Sequence, residues 1–62
     1  MSLVLTRSPH QEVIMTDKNN GYKISVKVHR VRGNQVQLAF EAPNFVDIDR
    51  DEIYQLKYNT QN

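Results

Sequence analysis

Apolar and polar residues alternate along most of this chain, with a period of two, and the alternation predicts short strands. Over Ser2 to Arg7, Leu3 and Leu5 fall on one side and Val4 and Thr6 on the other. Mixed burial of both faces suits a strand packed between subunits. Ser8-Pro9-His10 breaks the run, because proline supplies no ladder donor. Glu12 to Thr16 is rich in β-branched residues and predicts a second strand. Tyr22 to Arg32 predicts the longest strand, with Ile24, Val26 and Val28 on one face and Lys23, Ser25, Lys27 and His29 on the other. The alternation slips after Val28, which marks a bulge or a strand end. Gln35 to Phe40 follows, with Val36, Leu38 and Phe40 inward, and Phe45 to Asp49 is the last strand, with Val46, Ile48 and then Arg50 sharing a face.

The segments between these runs carry turn chemistry. Asp17 to Gly21 is a polar loop whose Asn20-Gly21 pair signals a hairpin with both residues at positive φ. Gly33-Asn34 reads as a second hairpin turn, and Ala42-Pro43-Asn44 as a third turn. After Asp49 the period changes. Ile53 and Leu56 give a short helix an apolar edge, Asp49 or Asp51 can cap it, and Asp49 with Glu52 has the spacing of a capping box. A helix of about 8 residues cannot stand alone in water. It must dock through Ile53 and Leu56 or project as a mobile end. Asn59 to Asn62 is a polar tail. The fold class is therefore mainly β: five short strands plus a C-terminal helix, forming one domain over residues 1–62.

Length makes that fold marginal on its own. With 62 residues and no cysteine, a disulfide or thiolate metal site is excluded, and His10 and His29 lie far apart with no neighbour at ligand spacing. A core shared with a second copy is the natural remedy. No cofactor is called for. The longest apolar runs, such as Leu3-Val4-Leu5 and Val13-Ile14-Met15, are too short for a membrane helix, and the N-terminus does not resemble a secretory signal. The expected location is cytoplasmic. Catalysis is the poorest fit, since no spacing gathers nucleophile, base and oxyanion donor, and Gly21 and Gly33 each have a turn to explain them. Net charge is only +1, but its distribution is uneven. Lys23, Lys27, Arg30 and Arg32 occupy the middle without an acid among them. Glu41, Asp47, Asp49, Asp51 and Glu52 crowd the last part around the single base Arg50. Two solvated faces of opposite sign, or a basic strand surface that meets phosphate, both fit this pattern.

Three blocks in register carry a family resemblance. Leu3-Val4-Leu5-Thr6-Arg7, Val31-Arg32-Gly33-Asn34-Gln35-Val36, and Ala42-Pro43 followed by Arg50-Asp51-Glu52-Ile53-Tyr54 resemble the opening, central turn and closing of the carbon storage regulators (CsrA/RsmA). The likeness runs from Leu3 to about Lys57. It implies a strand-interleaved homodimer with shared antiparallel sheets and outward helices. It also implies two RNA sites, each built from the first strand of one subunit and the last strand of the other. The ligand implied is a GGA triplet in hairpin loops of mRNA leaders and regulatory small RNAs, where binding blocks ribosome access or alters transcript stability. Carried over by position, the RNA contacts are Leu5, Thr6 and Arg7, with Val46, Asp47, Ile48 and Arg50, partly through backbone groups. Arg50 is the foremost candidate, because a guanidinium fork matches the two acceptors of guanine.

The chain departs from the family pattern in four places. Ser8 stands where a second basic residue is usual, Pro9-His10 replaces a glycine, Asp47 and Asp49 flank the last-strand positions, and the 17–21 loop is about five residues longer. Losing a cation and gaining two carboxylates raises the cost of RNA approach. These changes also support a reading from another class. In it the chain is a divergent paralogue acting as a protein–protein module, paired with a standard family member or bound to a protein antagonist through its helix and acidic segment.

Overall fold

The computed structural model describes residues 1–58 of the 62, so the predicted polar tail lies outside the described residues. The elements follow the expected order: β1 (Ser2–Arg7), β2 (Glu12–Asp17), β3 (Lys23–Lys27), β4 (Val36–Glu41), β5 (Val46–Arg50) and α1 (Asp51–Tyr58). Two antiparallel sheets result. One is the pair β1–β4, and the other has the order β3-β2-β5.

Register decides which side chains meet. In the first sheet Leu3 lies opposite Phe40, Leu5 opposite Leu38 and Arg7 opposite Val36, so one face carries Leu3, Leu5 and Arg7. In the second, Val13 lies between Val26 and Arg50, and Met15 between Ile24 and Ile48. The apolar faces meet around Leu5, Val13 and Ile48, with Leu3, Met15, Leu38, Phe40, Ala42 and Val46 packed against them. The opposite face of the second sheet presents Thr16, Lys23, Asp47 and Asp49 around the buried Ile14, and α1 lies on that side.

The core is small. Among the described residues, Leu5, Val13, Ile14, Val28 and Ile48 are the buried hydrophobics. Val4 is 60% exposed and Ile24 is 59% exposed, and Tyr22, Phe45 and Leu56 also face solvent. An apolar groove of about 540 Å³ opens between Met15, Tyr22, Ile24, Ala42 and Val46. The outer edges of β1, β4, β3 and β5 have no neighbouring strand among the described residues. Exposed apolar surface beside open edges is what a strand-sharing partner would cover.

Five expectations need correction. Gly33-Asn34 lies in a bend and is not a hairpin turn within the subunit, because β3 and β4 belong to different sheets and do not pair. The predicted strand from Tyr22 to Arg32 ends at Lys27. Val28 still donates to Gln11 O (2.9 Å) and accepts from His10 N (2.7 Å), but Pro9 and the turn at Ser8–Gln11 remove any ladder partner beyond it. The 17–21 loop joins β2 and β3 as the expected hairpin, but of Asn20 and Gly21 only Gly21 has positive φ (79°). Gly21 N instead donates to Asp17 O (2.7 Å), and the Asn20 side chain accepts from Tyr22 N (2.9 Å). The Asp49–Glu52 capping box is not formed. Asp49 bonds Lys57 and Glu52 bonds Arg7. Finally, α1 does not dock through Ile53 and Leu56, which are 40% and 70% exposed. The sheet beneath it sets the carboxylates Asp47 and Asp49 around Ile14, and the helix turns its Tyr54–Lys57–Tyr58 face toward them instead.

His10 occupies the left-handed region at φ 72°, in the turn where the family resemblance places a glycine. A side chain there costs about 1 kcal/mol. His10→Gly is expected to stabilise the fold by about 0.5–1 kcal/mol, partly offset by the greater freedom of glycine in the unfolded chain. Equilibrium urea unfolding checks this, and a lower midpoint would contradict it.

Candidate nucleic-acid interface

The candidate contacts from the first strand end up in unequal environments. Leu5 points into the core at 7% exposure, so its side chain is packing and only its backbone is available to a ligand. Thr6 lies on the opposite, half-exposed face across from Gln37. Arg7 follows the parity of Leu3 and Leu5 and is 4% exposed. Its guanidinium is held on every side. Nε donates to Thr6 O (3.0 Å), Nη1 to Glu12 O (3.2 Å) and to Glu52 Oε1 (3.2 Å), and Nη2 to Glu52 Oε2 (3.0 Å). Asp51 Oδ1 is 3.5 Å from Nη1, while its other oxygen accepts from Glu12 N at 3.2 Å. This is a forked pair inside the fold, and it offers no fork to RNA. The role expected for Arg7 as a direct contact is replaced by a positioning role.

The electrostatics match the geometry. The bond with Glu52 outweighs desolvation and raises the pKa of Arg7. The Arg7 guanidinium, aided by Asp51, holds the Glu52 carboxyl at about 2, well below the usual carboxylate range.

The last strand alternates just as sharply. Ile48 is in the core and Val46 borders the apolar groove. Asp47 and Asp49 face the helix. Lys57 Nζ lies 3.3 and 3.2 Å from the two carboxylate oxygens of Asp49 and 3.5 Å from Asp47 Oδ2. Tyr58 donates its hydroxyl to Asp47 Oδ2 (3.2 Å), and Lys18 Nζ is 3.5 Å from Asp47 Oδ1. Desolvation works to raise Asp47, but Tyr58, Lys57 and Lys18 outweigh it and hold its pKa low. Asp49 therefore engages Lys57 and does not restrain Arg50.

Arg50 is exposed, at the end of β5, and has no acid partner among the described residues. The other cations divide clearly. Arg7, Lys18, Lys27 and Lys57 pair with carboxylates, and Lys23 sits 5.2 Å over the Tyr54 ring. Arg30 and Arg32 are, like Arg50, exposed and without an acid partner among the described residues. Arg7 and Arg50 are brought to the same end of the molecule, since Arg7 touches Asp51 and Glu52, the next residues after Arg50.

An unpaired guanidinium at the end of an edge strand, on two small sheets with open edges, defines a class: a small β-rich module with sheet edges left to be met. The CsrA model, described as a global regulator protein family, matches residues 2–58. The chain is 41% identical over 61 residues to the translational regulator CsrA of Halothermothrix orenii, covering 95% of this chain and 69% of that protein. It is 46% identical over 52 residues to the translational regulator CsrA of Geobacter sulfurreducens, covering 84% of this chain and 60% of that protein. No solved structure matches significantly. The chain belongs to the CsrA global regulator family, and that membership makes it a translational regulator acting through RNA and not an enzyme. No helix among the described residues is long and apolar enough to cross a membrane.

Removing Arg7 strands Glu52 and Asp51 beside a buried gap. Arg7→Ala is expected to cost about 2–3 kcal/mol, less than a fully buried pair because Glu52 is half in water. Because the Glu52 pKa is lowered on folding, its contribution is present above its unfolded value of 4.5 and is lost as pH falls towards about 2. Acid unfolding of Glu52→Gln should therefore show a flatter slope between pH 5 and pH 2 than the parent chain. Parallel curves would contradict the pairing.

Proposed function

We propose that the chain acts in the cytoplasm as a homodimeric post-transcriptional regulator. It binds GGA triplets in hairpin loops of mRNA leaders and of regulatory small RNAs. One observation carries this reading: Arg50 is an exposed, unpartnered guanidinium at the end of an open strand edge. Its fork suits the O6 and N7 acceptors of a guanine. Outward-facing backbone groups of alternate residues along the outer edges of β1 and β5, within Leu5–Thr6 and Val46–Ile48, can read the edges of splayed, single-stranded bases. Occupying such a loop near a ribosome-binding site blocks initiation. The same contact elsewhere on a transcript alters its stability.

The homodimer is supported by the exposed apolar groove and the unpaired edges, which a second copy would cover. The protein–protein reading loses its main feature, because Lys57 and Lys18 already engage Asp47 and Asp49. The acidic segment thus offers little free charge to a basic partner.

Arg50→Ala should lower affinity for a GGA hairpin about 10- to 100-fold, the loss of one bidentate base contact. Stability should stay within about 0.5 kcal/mol, since no partner is left behind. A gel-shift titration with parallel circular dichroism checks both. Undiminished binding by a folded Arg50→Ala chain would overturn the site, and a monomer by sedimentation would overturn the homodimer.

A further inference from the structure

The two carboxylates that set this chain apart from the family pattern lie beside the proposed RNA edge. Two cations from different elements meet them. Lys18 comes from the long 17–21 loop, which is tied to the start of β5 by Lys18 N donating to Phe45 O at 2.8 Å. Lys57 comes from the last turn of α1 and bonds both Asp49 oxygens as well as Asp47. Asp49 is the more enclosed carboxylate, with a side chain 12% exposed, and its ion pair is with Lys57. Asp47 has Lys18 and Tyr58 in addition.

Resting on the RNA-binding reading above, we propose that Lys57 is a positioning residue for RNA: by neutralising Asp49 it keeps the β5 edge approachable to phosphate. Without that ammonium, a bare carboxylate would stand one residue from Arg50 and oppose each phosphate that the arginine attracts. The effect is Coulombic, so salt screens it within about 8–10 Å. Asp49 projects from the opposite face of β5 to Arg50, so its field reaches a phosphate across the strand, and an unscreened carboxylate there is worth roughly a several-fold change in affinity. The long loop has a matching part, since Lys18 does for Asp47 what Lys57 does for Asp49.

The test is a double-mutant cycle on the full chain, read as affinity for a GGA hairpin across a salt series. Lys57→Gln should weaken binding about three- to tenfold at low salt, with a deficit that shrinks as salt rises. Lys57→Gln combined with Asp49→Asn should recover parental affinity, because no bare carboxylate remains. Asp49→Asn alone should bind as well as the parent or better. Thermal melts of all four chains report on helix docking. If Lys57→Gln binds like the parent, or if its loss is not rescued by Asp49→Asn, the proposal is overturned, the latter outcome assigning Lys57 a packing role. If the parent itself ignores GGA hairpins, it is the RNA-binding reading that falls.

Discussion

The guanidinium of Arg7 is the joint on which the two sheets and the helix depend. It is the end residue of β1, yet its hydrogen bonds reach the first residue of β2 and the first two residues of α1. Glu12, Asp51 and Glu52 are thereby drawn to one point, and Asp51 closes the knot by accepting from Glu12 N. A buried guanidinium is expensive to desolvate and is tolerated only when its donors are met. Here the two acids lie in the first turn of α1, where the helix dipole also favours negative charge. The same arrangement therefore satisfies the arginine, starts the helix and fixes the direction in which β5 ends. Arg50, one residue before the knot, is left pointing to solvent because its neighbours are already committed.

That local rigidity contrasts with the incompleteness of the rest. Two sheets of two and three strands leave outer edges unpaired and leave Ile24, Tyr22 and Phe45 exposed. A two-stranded sheet is marginal in water, and the described core holds few buried aliphatic side chains. The chain is therefore built to be completed by something. A second copy has the right edges, and a single-stranded nucleotide loop can use whichever edges the copies leave open. In the proposed homodimer, stability and recognition draw on the same set of open edges, and the proposal therefore couples RNA affinity to assembly.

Much of the fold was legible in the period-two alternation. The element order along the chain is as read, with boundaries shifted by a residue at β2, β4 and β5 and with β3 shortened. Turn and strand-end details were not legible, because they depend on which strand supplies the ladder partner. Residues beyond Val28 have the composition of a strand, but the proline turn opposite ends the ladder. The docking face of α1 was misread for a related reason. Ile53 and Leu56 are the apolar pair, but the surface below carries Asp47 and Asp49 around Ile14, and Tyr54, Lys57 and Tyr58 face it instead. For the candidate site, Arg50 was named through the family resemblance, and the fold leaves it exposed at the end of β5. Arg7 was read as a ligand contact although its parity with Leu3 and Leu5 had already placed it on the buried face. That signal was available in the sequence, together with the acids at Asp51 and Glu52 that a buried arginine would need.

Charge is where the sequence was least informative, and the reason is partition. A net charge of +1 says nothing about which cations are free. The fold commits Arg7 to Glu52, Lys27 to Glu12, and Lys18 and Lys57 to the acid pair on β5. What remains outward is a set of guanidiniums, Arg30, Arg32 and Arg50, while the ammonium groups are largely engaged within the fold. This division suits the chemistry of each group. An ammonium on a flexible stem can bridge two carboxylates as Lys57 does, whereas a planar fork is the better reader of a base edge or a phosphate. The acid pair that looked like an obstacle to RNA is thus matched within the fold by Lys18 and Lys57, and Arg50 at the end of β5 is left without an acid partner among the described residues.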